Sequence, residues 1–174
     1  MILNITYINN ENDYHFFLIE ERRMFVSNIL MIYASMSGNT EAMADAIAEG
    51  VKEAGGHLEV MDIIEVSSAS ILEQYDGILL GSYTWGDGEL PDEFLDIYEE
   101  MEGLDLTGKK GAVFGSCDSS YPHYGAAVDL LIECLKDKGA EVVLEGLKVE
   151  LTPGEEEIEM CKEFGASFVK AFEN

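Results

Sequence analysis

The stretch Ile29-Leu30-Met31-Ile32-Tyr33-Ala34-Ser35-Met36-Ser37-Gly38-Asn39-Thr40 decides the fold. Its first six residues form a short apolar run, the pattern of a strand buried on both faces. A loop of hydroxyls, Gly and Asn follows, and an amphipathic stretch opens near Thr40. Strand, tight loop and helix in that order begin a parallel βαβ unit.

The same alternation repeats to the end of the chain. Strands are expected at Ile29 to Ala34, His57 to Asp62, Asp76 to Tyr83, Lys110 to Gly115 and Glu141 to Glu150. Helices are expected to begin near Thr40, Pro91, Tyr124 and Gly154, with a shorter one over Ser70 to Gln74. Pro91 suits a first helical turn, and Asp92 and Glu93 favour the positive helix end. Gly55-Gly56 and Gly139 can take the positive φ that ends a helix. The fold class is therefore α/β: a doubly wound five-stranded parallel sheet with helices on both faces, in the order 2-1-3-4-5. Winding reverses between strands 1 and 3, and ligands bind outside the carboxyl ends of the strands at such a reversal.

With 174 residues and 47% hydrophobic content, the chain suits one domain with a sizeable core. No apolar run approaches the roughly 18 residues of a membrane span. The net charge of −25, from 35 acidic against 10 basic residues, disfavours nucleic acid and anionic membranes and leaves basic protein partners as the compatible class. Solubility alone also accounts for such acidity. Cys117, Cys134 and Cys161 show no metal or dithiol spacing, which fits a reducing cytoplasm. Cys134 and Cys161 read as small buried hydrophobes, and Cys117 falls in a loop.

Residues 1–28 differ in character, being rich in Asn, aromatic and β-branched residues. Two readings stay open: an extension, hairpin or disordered, with no role in the site, or a start mis-assigned upstream. Glu20-Glu21-Arg22-Arg23 can be encoded by a purine-rich stretch like a ribosome-binding site just before Val26. The domain proper is expected over 29–172.

Three loops leave strands 1, 3 and 4 at one sheet edge, and they are the three most unusual stretches of the chain. The first, Ser35 to Thr40, offers hydroxyls, loop N–H groups and a helix N-terminus to an anion. It holds no Lys or Arg, so it lacks the gripping lysine of an NTPase loop. A plain helix-capping turn is the competing reading. The second, Tyr83-Thr84-Trp85-Gly86-Asp87-Gly88-Glu89-Leu90-Pro91, carries the only Trp of the chain, placed either to stack on a flat ring or simply to pack. The third, Gly115-Ser116-Cys117-Asp118-Ser119-Ser120-Tyr121-Pro122-His123-Tyr124-Gly125, adds a second aromatic, Tyr121, and many backbone donors. His123 and Tyr124 read as packing or exposed loop residues.

The S-x-S-G-N-T loop, the T-W-G-D segment and the G-S-C-D-S-S-Y segment resemble the phosphate loop and two flavin loops of flavodoxins, over residues 29 to about 172. The resemblance implies the flavodoxin-like fold and a non-covalently bound FMN. It implies that Ser35, Ser37, Asn39, Thr40 and Thr84, with the backbone of Met36 and Gly38, bind the phosphate. Trp85 and Tyr121 would sandwich the ring. Gly86, Asp118 and Gly125 would meet its polar edge through backbone groups, with Tyr83, Ser116 and Cys117 completing the lining. Met36 and Tyr83 depart from positions that are often hydroxylated in the family. The passage through Thr152-Pro153-Gly154 into the last helix, without a long insertion, resembles the short-chain members.

Such a site holds a flavin but supplies no acid, base or substrate pocket; the cofactor carries the electrons and the protein sets their energy. Carboxylates and apolar rings disfavour a negatively charged reduced ring, which implies a low-potential one-electron carrier and not an enzyme with its own substrate. Gly86 is expected to allow a peptide flip that offers a carbonyl to the ring. Asp87, Glu89, Asp92, Glu93 and Asp96 would steer the basic faces of redox partners, a flavodoxin reductase and electron-accepting enzymes, toward a monomeric carrier. The alternatives are a quinone reductase of the same fold, a flavin-sensing module, and a phosphoacceptor signalling domain. The last would need acidic residues where Ser35-Met36-Ser37 and Ser82-Tyr83 stand.

Overall fold

The computed structural model describes residues 27–120 and 122–173. Strands β1 (Asn28–Tyr33), β2 (His57–Asp62), β3 (Gly77–Gly81), β4 (Lys110–Cys117), β5 (Glu141–Val142) and β6 (Leu147–Glu150) alternate with helices α1 (Asn39–Glu53), α2 (Asp92–Met101), α3 (Ala126–Asp137) and α4 (Glu155–Lys170). Short 3₁₀ turns over Ile63–Glu65 and Ala69–Gln74 fill the crossover from β2 to β3. Every strand pairing is parallel, in the order β2-β1-β3-β4-β5, with β6 also paired to β4. The expected 2-1-3-4-5 sheet is thus observed.

Alternation along each central strand divides the core in two. Leu30 and Ile32 join Ile78, Leu80, Phe94 and Leu131 on the side of α2 and α3, whereas Ile29 and Met31 join Met43, Ile47, Phe114 and Phe168 on the side of α1 and α4. The pair α1 and α4 packs backbone to backbone. A Cβ added at Gly50 would lie 2.0 Å from the Lys162 carbonyl oxygen, and one at Gly165 would lie 2.2 Å from that of Ile47. Only glycine permits this approach.

Five boundaries differ from the sequence expectation. The fifth strand is two strands, because the chain advances five residues from Val142 to Leu147 while β4 advances three from Gly111 to Phe114. The surplus forms a bulge, where a Cβ added at Gly146 would lie 2.6 Å from Val128 Cγ1 and 2.8 Å from Ile132 Cδ1 of α3. Strand β4 runs on to Cys117, which pairs with Glu150, so Ser116 and Cys117 belong to the sheet and not to the third loop. Strand β3 ends at Gly81, releasing Tyr83. Pro91 is the N-cap of α2 and not its first turn, and α3 starts at Ala126 because Gly125 takes a left-handed φ of 67°. Among the described residues, no helix is long and apolar enough to cross a membrane.

Candidate cofactor site

Strand β1 delivers the phosphate-loop candidate to the carboxyl edge of the sheet. Gly38, at φ 83°, is the N-cap of α1 without a capping side chain. Ser35 reaches back instead: its Oγ accepts the Glu41 N–H at 3.1 Å, and the Gly38 carbonyl accepts the Ala42 N–H at 2.9 Å. The N–H groups of Asn39 and Thr40 belong to the part of the first turn that no helical carbonyl can serve. Ser37 and Met36 are exposed, Met36 at 67%. Thr40 is buried, and its hydroxyl lies 2.9 Å from that of Ser116 on β4, tying the first loop to the fourth strand. Asn39 is held from the far end of the chain, its Oδ1 accepting from the Thr152 hydroxyl at 2.9 Å.

The second loop folds back on itself. Trp85 and Glu89 exchange backbone hydrogen bonds at 2.9 and 2.8 Å around Gly86 at φ 52° and Gly88 at φ 112°. Trp85 stays 45% exposed and meets Tyr83 edge-on, with ring centroids 6.3 Å apart. The Tyr83 hydroxyl donates to Glu93 Oε1 at 2.9 Å, and burial followed by that carboxylate pushes its pKa up to about 12. Thr84 Oγ1 accepts the Ala127 N–H of α3 at 3.4 Å, so it caps α3. A Cβ on Gly88 would lie 2.7 Å from that of His123, which shows how closely the second and third loops pack.

In the third loop, Asp118 Oδ1 accepts the Ser120 N–H at 2.8 Å, and the hydrogen bonds to Ser120 hold its carboxyl below the usual range. Glu150 accepts from both the N–H and the hydroxyl of Ser119, at 3.0 and 2.9 Å. Cys117 is buried, which pushes its thiol up to about 11 against the pull of Lys148. Tyr121, the expected second ring face, lies outside the described residues.

The three loops thus leave neighbouring strands at one sheet edge, where the second packs on the third and the first is tied to β4. Thr40 to Ser116 joins the first to the fourth strand, and Thr84 to Ala127 and Gly88 to His123 join the second to the third. Four supporting residues escape a sequence reading: Thr152 on Asn39, Glu93 on Tyr83, Glu150 on Ser119, and Lys148 beside Cys117. Three of them act across the fold from a distance that no local motif spans, and Glu93 is one of several carboxylates that follow Tyr83.

The donor set at this edge is chemically uniform. Hydroxyls, an amide and a helix N-terminus can hold a terminal phosphate by dipoles, no lysine or arginine stands in the loop, and an exposed indole is available to a flat ring. These features fit FMN.

A family model described as flavodoxin matches residues 31–165. The chain is 46% identical to a probable flavodoxin 2 of Bacillus subtilis (strain 168), over 83% of this chain and 96% of that one. The crystal structure of oxidised flavodoxin 1 from Bacillus cereus is 66% identical and superimposes with a TM-score of 0.81, over 83% of this chain and 98% of that one. That of oxidised flavodoxin 2 from the same organism is 47% identical at a TM-score of 0.80, over 84% and 100%. With fold, loops and relatives in agreement, the chain belongs to the flavodoxin family.

Proposed function

We propose that the chain carries single electrons at low potential on one non-covalently held FMN. The observation that supports this most directly is that three loops leave adjacent strands at the switch point of the sheet, with charge-neutral donors after β1 and an exposed Trp85 after β3. Ser35, Ser37, Asn39 and the N–H groups of Met36, Gly38 and Thr40 would hold the phosphate, with Ser116 orienting the Thr40 hydroxyl and Thr84 joining from the second loop. Trp85 would cover one ring face beside Tyr83, and Tyr121 the other. Backbone groups of Gly86, Asp118 and Gly125 would meet the polar edge, over a floor that includes Cys117. When bound, FMN supplies the redox chemistry. The residues bind it, orient it and exclude water from one side.

The finer reading is a monomeric cytoplasmic carrier. Asp87, Glu89, Asp92, Glu93 and Asp96 follow Trp85 closely in sequence, so the exposed edge favours the basic faces of a reductase and of acceptor enzymes. Residues 29–172 would form the FMN-binding domain, and residues 1–28 an extension outside the site.

The deciding experiment is stepwise anaerobic reduction by dithionite, followed by absorption. Two resolved one-electron steps are expected. A single two-electron step would favour a reductase enzyme, and failure of the folded protein to bind added FMN would overturn the assignment. Reduction by a basic partner should slow as salt rises.

A further inference from the structure

Helices return antiparallel to the strands, so their N-termini gather at the carboxyl edge and bring Glu41, Asp92, Glu93, Glu155, Glu156 and Glu157 with them. No loop leaving that edge carries Lys or Arg. Lys148 is the exception to this segregation: on β6 it pairs with Gly115, in the carboxyl-terminal half of β4, which brings a basic side chain near that edge.

Its position is closely defined. The aliphatic stem crosses Gly125, the N-cap of α3, where an added Cβ would lie 2.5 Å from Lys148 Cδ and 2.9 Å from Cys117 Sγ. The ammonium ends on Asp129 of the same helix, with Nζ 2.8 Å from Oδ2. The lysine side chain is 26% exposed and the aspartate 60%, so water screens the carboxylate more than the ammonium. A cation near a helix N-terminus opposes the helix dipole, and Asp129 in the first turn offsets that cost.

We propose that Lys148, pinned by Asp129 and Gly125, is a positioning and charge-setting residue for the flavin. It raises the potential of the step that leaves the ring negatively charged, above the value that the surrounding carboxylates alone would impose. The inference rests on FMN lying against the backbone of Asp118 and Gly125, as proposed above. One partly exposed charge in a water-like dielectric changes such an equilibrium by only about threefold. That makes Lys148 a fine adjustment within a site whose main terms are its rings and acids.

The test is to measure both one-electron midpoint potentials of the FMN-loaded protein by spectroelectrochemical titration, with three variants. Lys148→Met keeps the stem that packs on Gly125 and removes the charge; it should lower the equilibrium constant of the second step about threefold and leave the first nearly unchanged. Asp129→Asn frees the ammonium from its partner and should shift the second step the opposite way. Lys148→Arg should restore the wild-type value. If Lys148→Met binds FMN with both potentials unchanged, the residue is structural and the proposal fails. If Lys148→Met does not fold, Asp129→Asn decides alone, and an unchanged second step there overturns the proposal equally. Failure of the wild-type protein to bind FMN would instead remove the functional reading itself.

Discussion

The Thr152 hydroxyl donates to Asn39 Oδ1 at 2.9 Å, joining residues 113 positions apart at the mouth of the proposed phosphate loop. That bond fixes the orientation of the Asn39 amide and leaves its NH₂ donors for an anion. Thr152→Val keeps the shape and removes the donor. It should weaken FMN binding about fivefold, the equivalent of about 1 kcal/mol for one hydrogen bond, as read by flavin fluorescence during titration of the apoprotein.

Trp85 is 45% exposed and touches Tyr83 only edge-on, so little of the fold depends on it. Trp85→Ala should reduce FMN affinity by about 0.5 to 1.5 kcal/mol through lost ring contact. Urea unfolding of the apoprotein should change by less than about 0.5 kcal/mol. An equal loss in both measurements would assign the indole to packing.

Gly115 lies where β4 meets the end of β3, and a Cβ there would fall 2.0 Å from the Ser82 carbonyl oxygen. Gly115→Ala should destabilise the apoprotein by about 3 kcal/mol or more, because the obstacle is backbone and cannot rotate away. Equilibrium unfolding in urea measures it.

Tyr83 titrates abnormally because burial and Glu93 disfavour its phenolate, raising the pKa from 10.0 to about 12. A folded-state pKa above the unfolded one contributes stability that is complete below pH 10 and is lost as pH rises toward and through 12. Wild type should therefore exceed Tyr83→Phe in stability by about 1 kcal/mol at pH 8, and the gap should close between pH 10 and pH 12. Thermal unfolding of the two proteins across that range gives the difference directly.

The fold was legible wherever a strand is apolar on both faces. Ile29 to Ala34 and the Ile78 to Leu80 run announce themselves, and the loops between strands and helices show their residue types openly. Val143 and Leu144, by contrast, look like the middle of a strand, yet the ladder breaks there after a last hydrogen bond from the Val143 N–H to the Gly111 carbonyl, because the chain holds more residues than β4 can pair. Ser116 and Cys117 read as loop because Gly115 looks like a terminus, whereas pairing with β6 carries the strand past it. At the site, the residue types were visible and their partners were not. Nothing near Thr40 points to Ser116, and nothing near Tyr83 singles out Glu93 from its acidic neighbours.

The bulge between β5 and β6 also bears on how the protein behaves in a crowd. A sheet edge with unbroken backbone donors and acceptors invites another chain to add a strand, and long flat edges seed aggregation. Here one outer edge offers two paired residues, then a bulge, then four more, out of step with any regular strand. An incoming chain could not follow it in register. That irregularity is a safeguard against strand-to-strand pairing between copies of the chain.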